Sequence, residues 1–434
     1  MKRNSSNSHK KAHKAHKGEA LLLLCLLFLV CLFVIPARAQ STDVVQAFEQ
    51  VAALIRDDRL AEADKELTKV LRLQPDLPVA LNLMGSVRAK QGRLAEAESL
   101  FLRAVQNDKN FTGARMNLVY LYLLKRAPDK AIAQLNEVLA LEPANLEAKV
   151  LMGDAYLAKN DLQKAEENYL AALDNKLDNA GALFGLAQIS RVKGEQREVA
   201  IYLNRVGTLI ADSTAPDFLY KFALEAMQVG LFDAAKSALE RAVSLKPKEP
   251  SYLLALGIAW LRKTDLFEAE KLFRRVLVLE PTNAQAQLHL GYVLLNQKKY
   301  AEARTWLEKS SRTSAPIPEV FYYLGLVAQE QNNDAGAIVL FEKAVRQLPS
   351  YAHARIALGS SYMKLKNYVR ARQELETAVK LDPNEPTAHY NLALLYARIK
   401  EPERAKEELR IIDQLKAKGA SNNGVVVLPP KSNP

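Results

Sequence analysis

Residues 250–283 read PSYLLALGIAWLRKTDLFEAEKLFRRVLVLEPTN. Leu254, Leu256, Ile258 and Leu261 form one apolar stripe at helical spacing, and Ala269, Leu272, Phe273 and Val276 form a second. A short turn separates such stripes, as at Lys159-Asn160-Asp161, Gln91-Gly92 and Val229-Gly230 in equivalent stretches. Pro281 follows the second stripe, and proline cannot continue a helix. The stretch therefore predicts two helices joined by a tight turn. One such hairpin cannot bury both stripes by itself, so it has to stack on others.

The others are present. Pro75, Pro143, Pro247, Pro281, Pro349 and Pro383 end similar tails at intervals of 68, 104, 34, 68 and 34 residues. A period of 34 places repeat starts at 44, 78, 112, 146, 180, 216, 250, 284, 318, 352 and 386, with a single two-residue slip at Thr214-Ala215. The twentieth position is Ala in every repeat except the fifth, which has Val199. The eighth is always small or short: Val51, Gly85, Val119, Gly153, Ala187, Ala223, Gly257, Gly291, Gly325, Gly359 and Ala393. The twenty-fourth is large, as in Phe101, Tyr169, Phe273 and Phe341, and the eleventh carries Tyr122, Tyr156, Trp260, Tyr362 and Tyr396. A small residue at position eight lets the two helices approach closely, with large residues filling the space around the contact.

This pattern resembles the tetratricopeptide repeat (TPR) family over nearly all of the chain after residue 43. The family pattern W-x2-L-G-x2-Y…A-x3-F…P is met best by Leu256-Gly257-x2-Trp260…Ala269-x3-Phe273…Pro281. Repeat five departs most, with Ser190, Val199 and Ala211 at the Tyr, Ala and Pro positions, and repeat one has Gln50-Val51 for Leu-Gly. The resemblance implies an all-α fold, a right-handed α-solenoid (superhelix) of about eleven helix-turn-helix units. With the slip taken as a break, the expected organisation is repeats one to five over 44–213 and repeats six to eleven over 216–419. The last helix, Glu401 to Lys416, is apolar on one face only, as a cap requires. Residues 420–434 are expected to be a disordered tail.

Around this array the composition is plain. The chain has 434 residues, 49% hydrophobic and 25% charged, which fits a folded chain and excludes a polytopic membrane protein. Its two cysteines, Cys25 and Cys31, exclude a disulfide scaffold. Basic residues 2–17 precede an apolar run, Ala20 to Ile35, and then Pro36-Ala37-Arg38-Ala39. This is the order of a secretory signal, with cleavage expected between Ala39 and Gln40 and 1–39 removed; an uncleaved membrane anchor is the alternative. In either case the repeats are expected outside the cytoplasm, periplasmic or secreted, or held at the inner membrane by residues 20–35. Seven of the 60 Lys and Arg and one of the 49 Asp and Glu lie before residue 40. The remaining 53 basic and 48 acidic residues are nearly balanced, which weakens a nucleic-acid reading.

No phosphate loop, nucleophile elbow, H-E-x-x-H or calcium loop occurs. After residue 40 the only histidines are His289, His353 and His389, in three different repeats, so no metal or cofactor is expected. The repeats occupy nearly all of this region, which leaves no room for a catalytic domain and points away from an enzyme. The resemblance further implies that positions two, five, nine and twelve of each first helix line a concave face. The candidate groove residues there and beside it are Met116, Asn117, Tyr120, Phe184, Tyr220, Lys221, Leu288, His289, Tyr292, Tyr322, Leu326, His353, Tyr390 and Asn391. Position five carries no Lys in any repeat, so the basic clamp for a C-terminal carboxylate known in this family is not expected. An apolar, tyrosine-bearing groove suits a protein or peptide segment. The function expected is an exported bacterial-type scaffold in a cell-envelope, secretion or exopolysaccharide-export assembly; the alternative is a soluble carrier for a glycan or peptide.

Overall fold

The structure, a computed structural model, describes residues 42–173, 178–313 and 317–417. The apolar run 20–35 and the tail 420–434 lie outside these. Each predicted stripe is a helix: the described residues form twenty-two α-helices and no strand. The chain divides into two compact units, Met1–Leu245 and Lys246–Pro434. In the first, the helices are α1 Thr42–Arg56, α2 Leu60–Leu73, α3 Pro78–Lys90, α4 Leu94–Asn107, α5 Thr112–Leu124, α6 Pro128–Leu141, α7 Leu146–Ala158, α8 Leu162–Leu173, α9 Ala180–Lys193, α10 Gln196–Leu209, α11 Pro216–Gln228 and α12 Phe232–Leu245. In the second they are α13 Pro250–Arg262, α14 Leu266–Leu279, α15 Ala284–Asn296, α16 Tyr300–Ser311, α17 Pro318–Glu330, α18 Asp334–Gln347, α19 Ala352–Lys364, α20 Tyr368–Leu381, α21 Pro386–Arg398 and α22 Pro402–Ala417. Each odd helix pairs with the even helix after it, and within each unit the pairs stack in sequence, so both units are all-α solenoids. The unit boundary falls between repeats six and seven, while the slip at 214–215 lies inside the first unit.

The turn inside each repeat is built the same way every time. Its fifteenth residue has positive φ, glycine at 92, 194 and 230, and Asp58, Arg126, Asn160, Thr264, Lys298, Asn332, Lys366 and Lys400 elsewhere. The following amide donates back to the carbonyl five residues earlier, as Arg93 to Arg88 at 2.9 Å and Asp265 to Trp260 at 3.1 Å. That hydrogen bond closes the last turn of the first helix and satisfies one of its orphan carbonyls. The second helices end two residues before proline, because the residue preceding proline is pushed out of the helical region. Gln74, Glu142, Glu280 and Asp382 all sit there with ψ of 75–89°.

Between the two helices of a repeat, position eight meets position twenty-four. A Cβ on Gly85 would lie 2.5 Å from the Phe101 ring, on Gly153 2.5 Å from Tyr169, and on Gly257 2.6 Å from Phe273. The two sizes compensate. Wherever position twenty-four is aromatic, position eight is Gly; Val51, Val119, Ala187 and Ala223 face Leu67, Leu135, Leu203 and Leu239. Interiors at this packing density leave no slack for an extra methyl.

In four repeats a polar residue at position four, Arg115, Gln287, Arg355 or His389, ties the unit to the linker before it. Gln287 Nε2 donates to the Pro281 carbonyl (2.8 Å) and Arg355 Nε to that of Pro349 (2.9 Å). His389 Nε2 lies 3.0 Å from the Pro383 carbonyl and its Nδ1 2.6 Å from Glu408. The last helix, α22, buries Ala405, Ile412 and Leu415 and leaves Leu409 47% exposed among charged neighbours.

Gly257→Val should destabilise the second unit by about 1–3 kcal/mol through overpacking against Phe273. Adding Phe273→Leu should recover most of that loss, since Val and Leu share this contact in repeats one and three. Thermal and urea unfolding of both single variants and the double variant measure the coupling; strictly additive losses would refute the compensation.

Candidate functional site

A large concavity lies within the first unit. It is a cavity of about 1350 Å³ among α5, α7, α9, α11 and the linker before α11. Local sequence sets its walls. Asn145 and Asn179 cap α7 and α9 by accepting from the amides of Ala148 and Ala182, each at 2.9 Å. Pro216 starts α11, where a missing amide hydrogen costs nothing. Repeats four and five present positions two, five and nine to the cavity: Glu147, Val150 and Asp154 from α7, and Gly181, Phe184 and Gln188 from α9. These are three of the four positions that the sequence assigns to the concave face.

Repeat six presents a different set. Phe218, Lys221 and Glu225 line the cavity, each one place further along than its counterparts, together with Leu224. This repeat follows the two-residue slip at Thr214-Ala215. The linker Ile210–Ala215 is held by Ser213 N–H donating to the Ile210 carbonyl (3.0 Å) and by Arg241 Nε donating to the Ser213 carbonyl (3.3 Å). Helix α9 packs on α7 but far less on α11, and α10 packs on α11 less extensively than the earlier second helices of the first unit pack on the repeat that follows. Phe184 and Phe218 meet edge to face across this opening, ring centroids 5.4 Å apart.

The charged groups lining the cavity are mostly acidic. Tyr120 donates its hydroxyl to Glu147, and Tyr169 donates to Asp154 at 2.6 Å. Burial raises the Asp154 carboxyl above the usual range, against the Tyr169 hydrogen bond and the nearby Lys221 ammonium, which hold it down. At the rim Glu225 pairs with Arg191 at 2.5 Å.

The residues predicted to form the groove divide into three groups. Tyr120, Phe184 and Lys221 line the cavity, while Tyr220, half-buried beside them, does not. Met116, Asn117, Leu288, His289, Tyr292 and Tyr322 are buried in the helix stack. Asn117 Nδ2 donates to Asn82 Oδ1 (2.7 Å), and His289 stacks on Phe273 at 5.3 Å. Tyr292 and Tyr322 pack on Tyr323 at 5.0 and 5.3 Å, and Tyr322 also on Tyr351 at 5.2 Å. Leu326, His353 and Asn391 are partly exposed in the second unit, and Tyr390 is 52% exposed. Glu147, Phe218 and Ile210 were not singled out. The first is marked only by its position in the repeat, the other two only by the slip.

Among the described residues no three His, Cys, Asp or Glu side chains come together as a metal site. His353 lies 3.7 Å from Glu385, and His389 is held by Glu408 and the Pro383 carbonyl, so each histidine has a local structural setting. No helix of the described residues is long and apolar enough to cross a membrane.

Comparison with known proteins agrees with this architecture. Tetratricopeptide repeat family models match residues 48–110, 82–149, 150–205, 220–277 and 264–316, and further models of such repeats match 319–351 and 359–400. The chain is 27% identical over 238 residues to cellulose synthase operon protein C of Xanthomonas axonopodis pv. citri (strain 306), covering 52% of this chain and 15% of that protein. It is 23% identical over 256 residues to human protein O-mannosyl-transferase TMTC3, covering 56% of this chain and 28% of that one. The chain thus spans less than a third of the length of either relative. Among solved structures it is similar to PilW, a type IV pilus biogenesis factor, with 16% identity, a TM-score of 0.43, and coverage of 48% of this chain and 95% of that one.

Burial pushes the His289 imidazole down to about 4, and the Arg262 charge adds to the effect. Its folded value lies below the unfolded one, so as pH falls from 6.5 towards 4 the unfolded chain takes the proton first and stability is lost. At pH 4.5 this loss should be about 2 kcal/mol. His289→Leu, a residue that Leu83 and Leu151 already place at this position, should reduce the difference in urea stability between pH 7 and pH 4.5 by that amount. An unchanged difference would show that His289 is solvated or charged in the fold.

Proposed function

Because the chain belongs to the tetratricopeptide repeat family, we propose that it is a non-catalytic scaffold that binds segments of other proteins along the concave face of its repeats. The observation that carries this reading is the solvent-open cavity walled by the first helices of repeats four to six. It offers apolar surface with scattered hydrogen-bonding groups, the form in which grooves hold peptide side chains. In the second unit Tyr390, Leu326 and Asn391 extend the candidate surface.

We place the scaffold outside the cytoplasm. The basic start, the apolar run 20–35 and Ala37-Arg38-Ala39 support an export signal, with retention of that run as an anchor the other outcome. The match to cellulose synthase operon protein C favours an envelope assembly that handles an exopolysaccharide. The slip at 214–215 is proposed as a break in the regular stacking of repeats one to five and six to eleven.

Cross-linking capture from the native cell envelope tests the scaffold reading, with the wild-type chain, Leu224→Arg and Tyr390→Asp as baits. Both substituted residues are exposed, at 37% and 52%, so the variants should fold. A defined set of proteins lost with either variant is expected; equal recovery with all three baits would remove the concave face as the binding surface. Intact-mass analysis of the exported protein should give a chain beginning at Gln40, whereas a mass that retains residues 1–39 would establish the anchor.

A further inference from the structure

We infer that the cavity between repeats four and six takes a peptide segment in which bulky apolar side chains alternate with Lys or Arg. This rests on the scaffold reading above and assigns it a site and a ligand chemistry. Size is the first argument. At about 1350 Å³ the cavity exceeds the roughly 300–1,000 Å³ typical of small-molecule pockets. A stretch of chain fills such a volume better than a single metabolite. The walls are the second. Val150, Phe184, Ile210 and Phe218 offer apolar faces from three helices and the linker, positions that side chains of an extended or helical segment can occupy in turn.

Charge is the third argument and selects among peptides. Five carboxylates line the cavity: Glu147, Asp154, Asp178, Asp212 and Glu225. Lys221 is the one basic residue lining it among those described. Glu147 takes a hydrogen bond from the neutral Tyr120 hydroxyl, which orients its charge without cancelling it, while Asp154 takes one from Tyr169 and has Lys221 nearby. Arg191 offsets Glu225 at the rim, and Arg205 stands 3.9 Å from Asp178. The concave wall therefore keeps an excess of negative charge, and concave surfaces with low-dielectric walls focus such a field. It is a local property. The chain after residue 39 has 53 basic and 48 acidic residues, so the molecule as a whole does not attract cations. The same field repels phosphate backbones, which sets nucleic acid aside. Alternation of apolar and cationic groups in the ligand matches Val150 and Phe184 lying beside Glu147 and Asp154 on α7 and α9.

The test is fluorescence anisotropy with the exported protein and three end-blocked, fluorescein-labelled nine-residue peptides that alternate Leu with Lys, Leu with Glu, or Leu with Ser. The Leu-Lys peptide should bind at least about tenfold more tightly than the other two, and its affinity should fall several-fold between low and high salt. Glu147→Gln combined with Asp154→Asn should weaken it by about tenfold or more. Asp212→Lys, on the exposed linker and outside any packed contact, should weaken it several-fold; Glu403→Lys, exposed on α22, should leave it unchanged. Equal binding of the three peptides, no binding of any, or insensitivity to both cavity variants would each overturn the assignment. So would binding of soluble oligosaccharides with none of the peptides. The wider reading fails separately: if Leu224→Arg abolishes partner capture while the Leu-Lys peptide does not bind, the groove stands and its cationic preference falls.

Discussion

The close approach of two helices at position eight is the contact on which each repeat depends. Gly257 lies so near the Phe273 ring that no side chain fits between them. That contact fixes the distance between the two helices, and the distance decides how much apolar surface the next repeat can cover. The contact takes three forms: glycine against an aromatic ring, Val or Ala against Leu, and in repeats eight and ten glycine against Leu, at Gly291 with Leu307 and Gly359 with Leu375. Volume-conserving exchange is what a close-packed interior tolerates. Tyr169 shows how far the constraint reaches. Its ring is pressed between Gly153 of its own repeat and Gly185 of the next, and its hydroxyl emerges on the cavity side to bond Asp154. One side chain thus serves the core of repeat four, its junction with repeat five, and the floor of the candidate site.

Around that contact the chain is held by hydrogen bonds that repeat with the period. Positive φ at position fifteen closes every inner turn, and eight of the eleven residues there are not glycine. Left-handed backbone costs such residues roughly 1–2 kcal/mol each, which the packing of the helices on both sides outweighs. At position four, Arg115, Gln287, Arg355 and His389 all reach the carbonyls of the preceding linker. Different residue types satisfy one geometric need. A histidine in this series is accounted for by its position, and His389 requires no catalytic explanation.

The helices, their order, their limits and the repeat register were legible in the sequence, because position eight, position twenty and the linker prolines each report a steric requirement in every unit. The candidate site was legible only in part. Tyr120, Phe184 and Lys221 line the cavity, although Tyr120 and Phe184 are themselves buried, as are Met116, Leu288, His289, Tyr292 and Tyr322 in the helix stack. Positions five and six of a first helix point between the concave surface and the next repeat. Which way they are used depends on the size of the neighbour: Tyr323 and Tyr351 fill the space over Tyr322, whereas Tyr390 stays exposed. A period fixes where a residue sits in its own unit. It does not fix how far one unit rotates on the next.

That rotation is where the slip acts. Two added residues in a linker cost little, since closure entropy grows only with the logarithm of loop length. Their structural effect is larger, because they free α11 from the spacing that the other linkers impose. Its inward face then begins at Phe218, one residue later than the period dictates, and Tyr220 gives its place to Lys221. The open volume beside α11 is walled by regular repeats on the α7 side. The departures of repeat five from the family pattern lie in the same place. Ala211 stands where proline would have shortened the linker, and Val199 replaces alanine in the helix beneath it. A weakened unit beside a lengthened linker would be a defect in a purely structural array. Here both border the large cavity of the first unit, and its acidic lining comes from the linker as well as from the helices on either side of it.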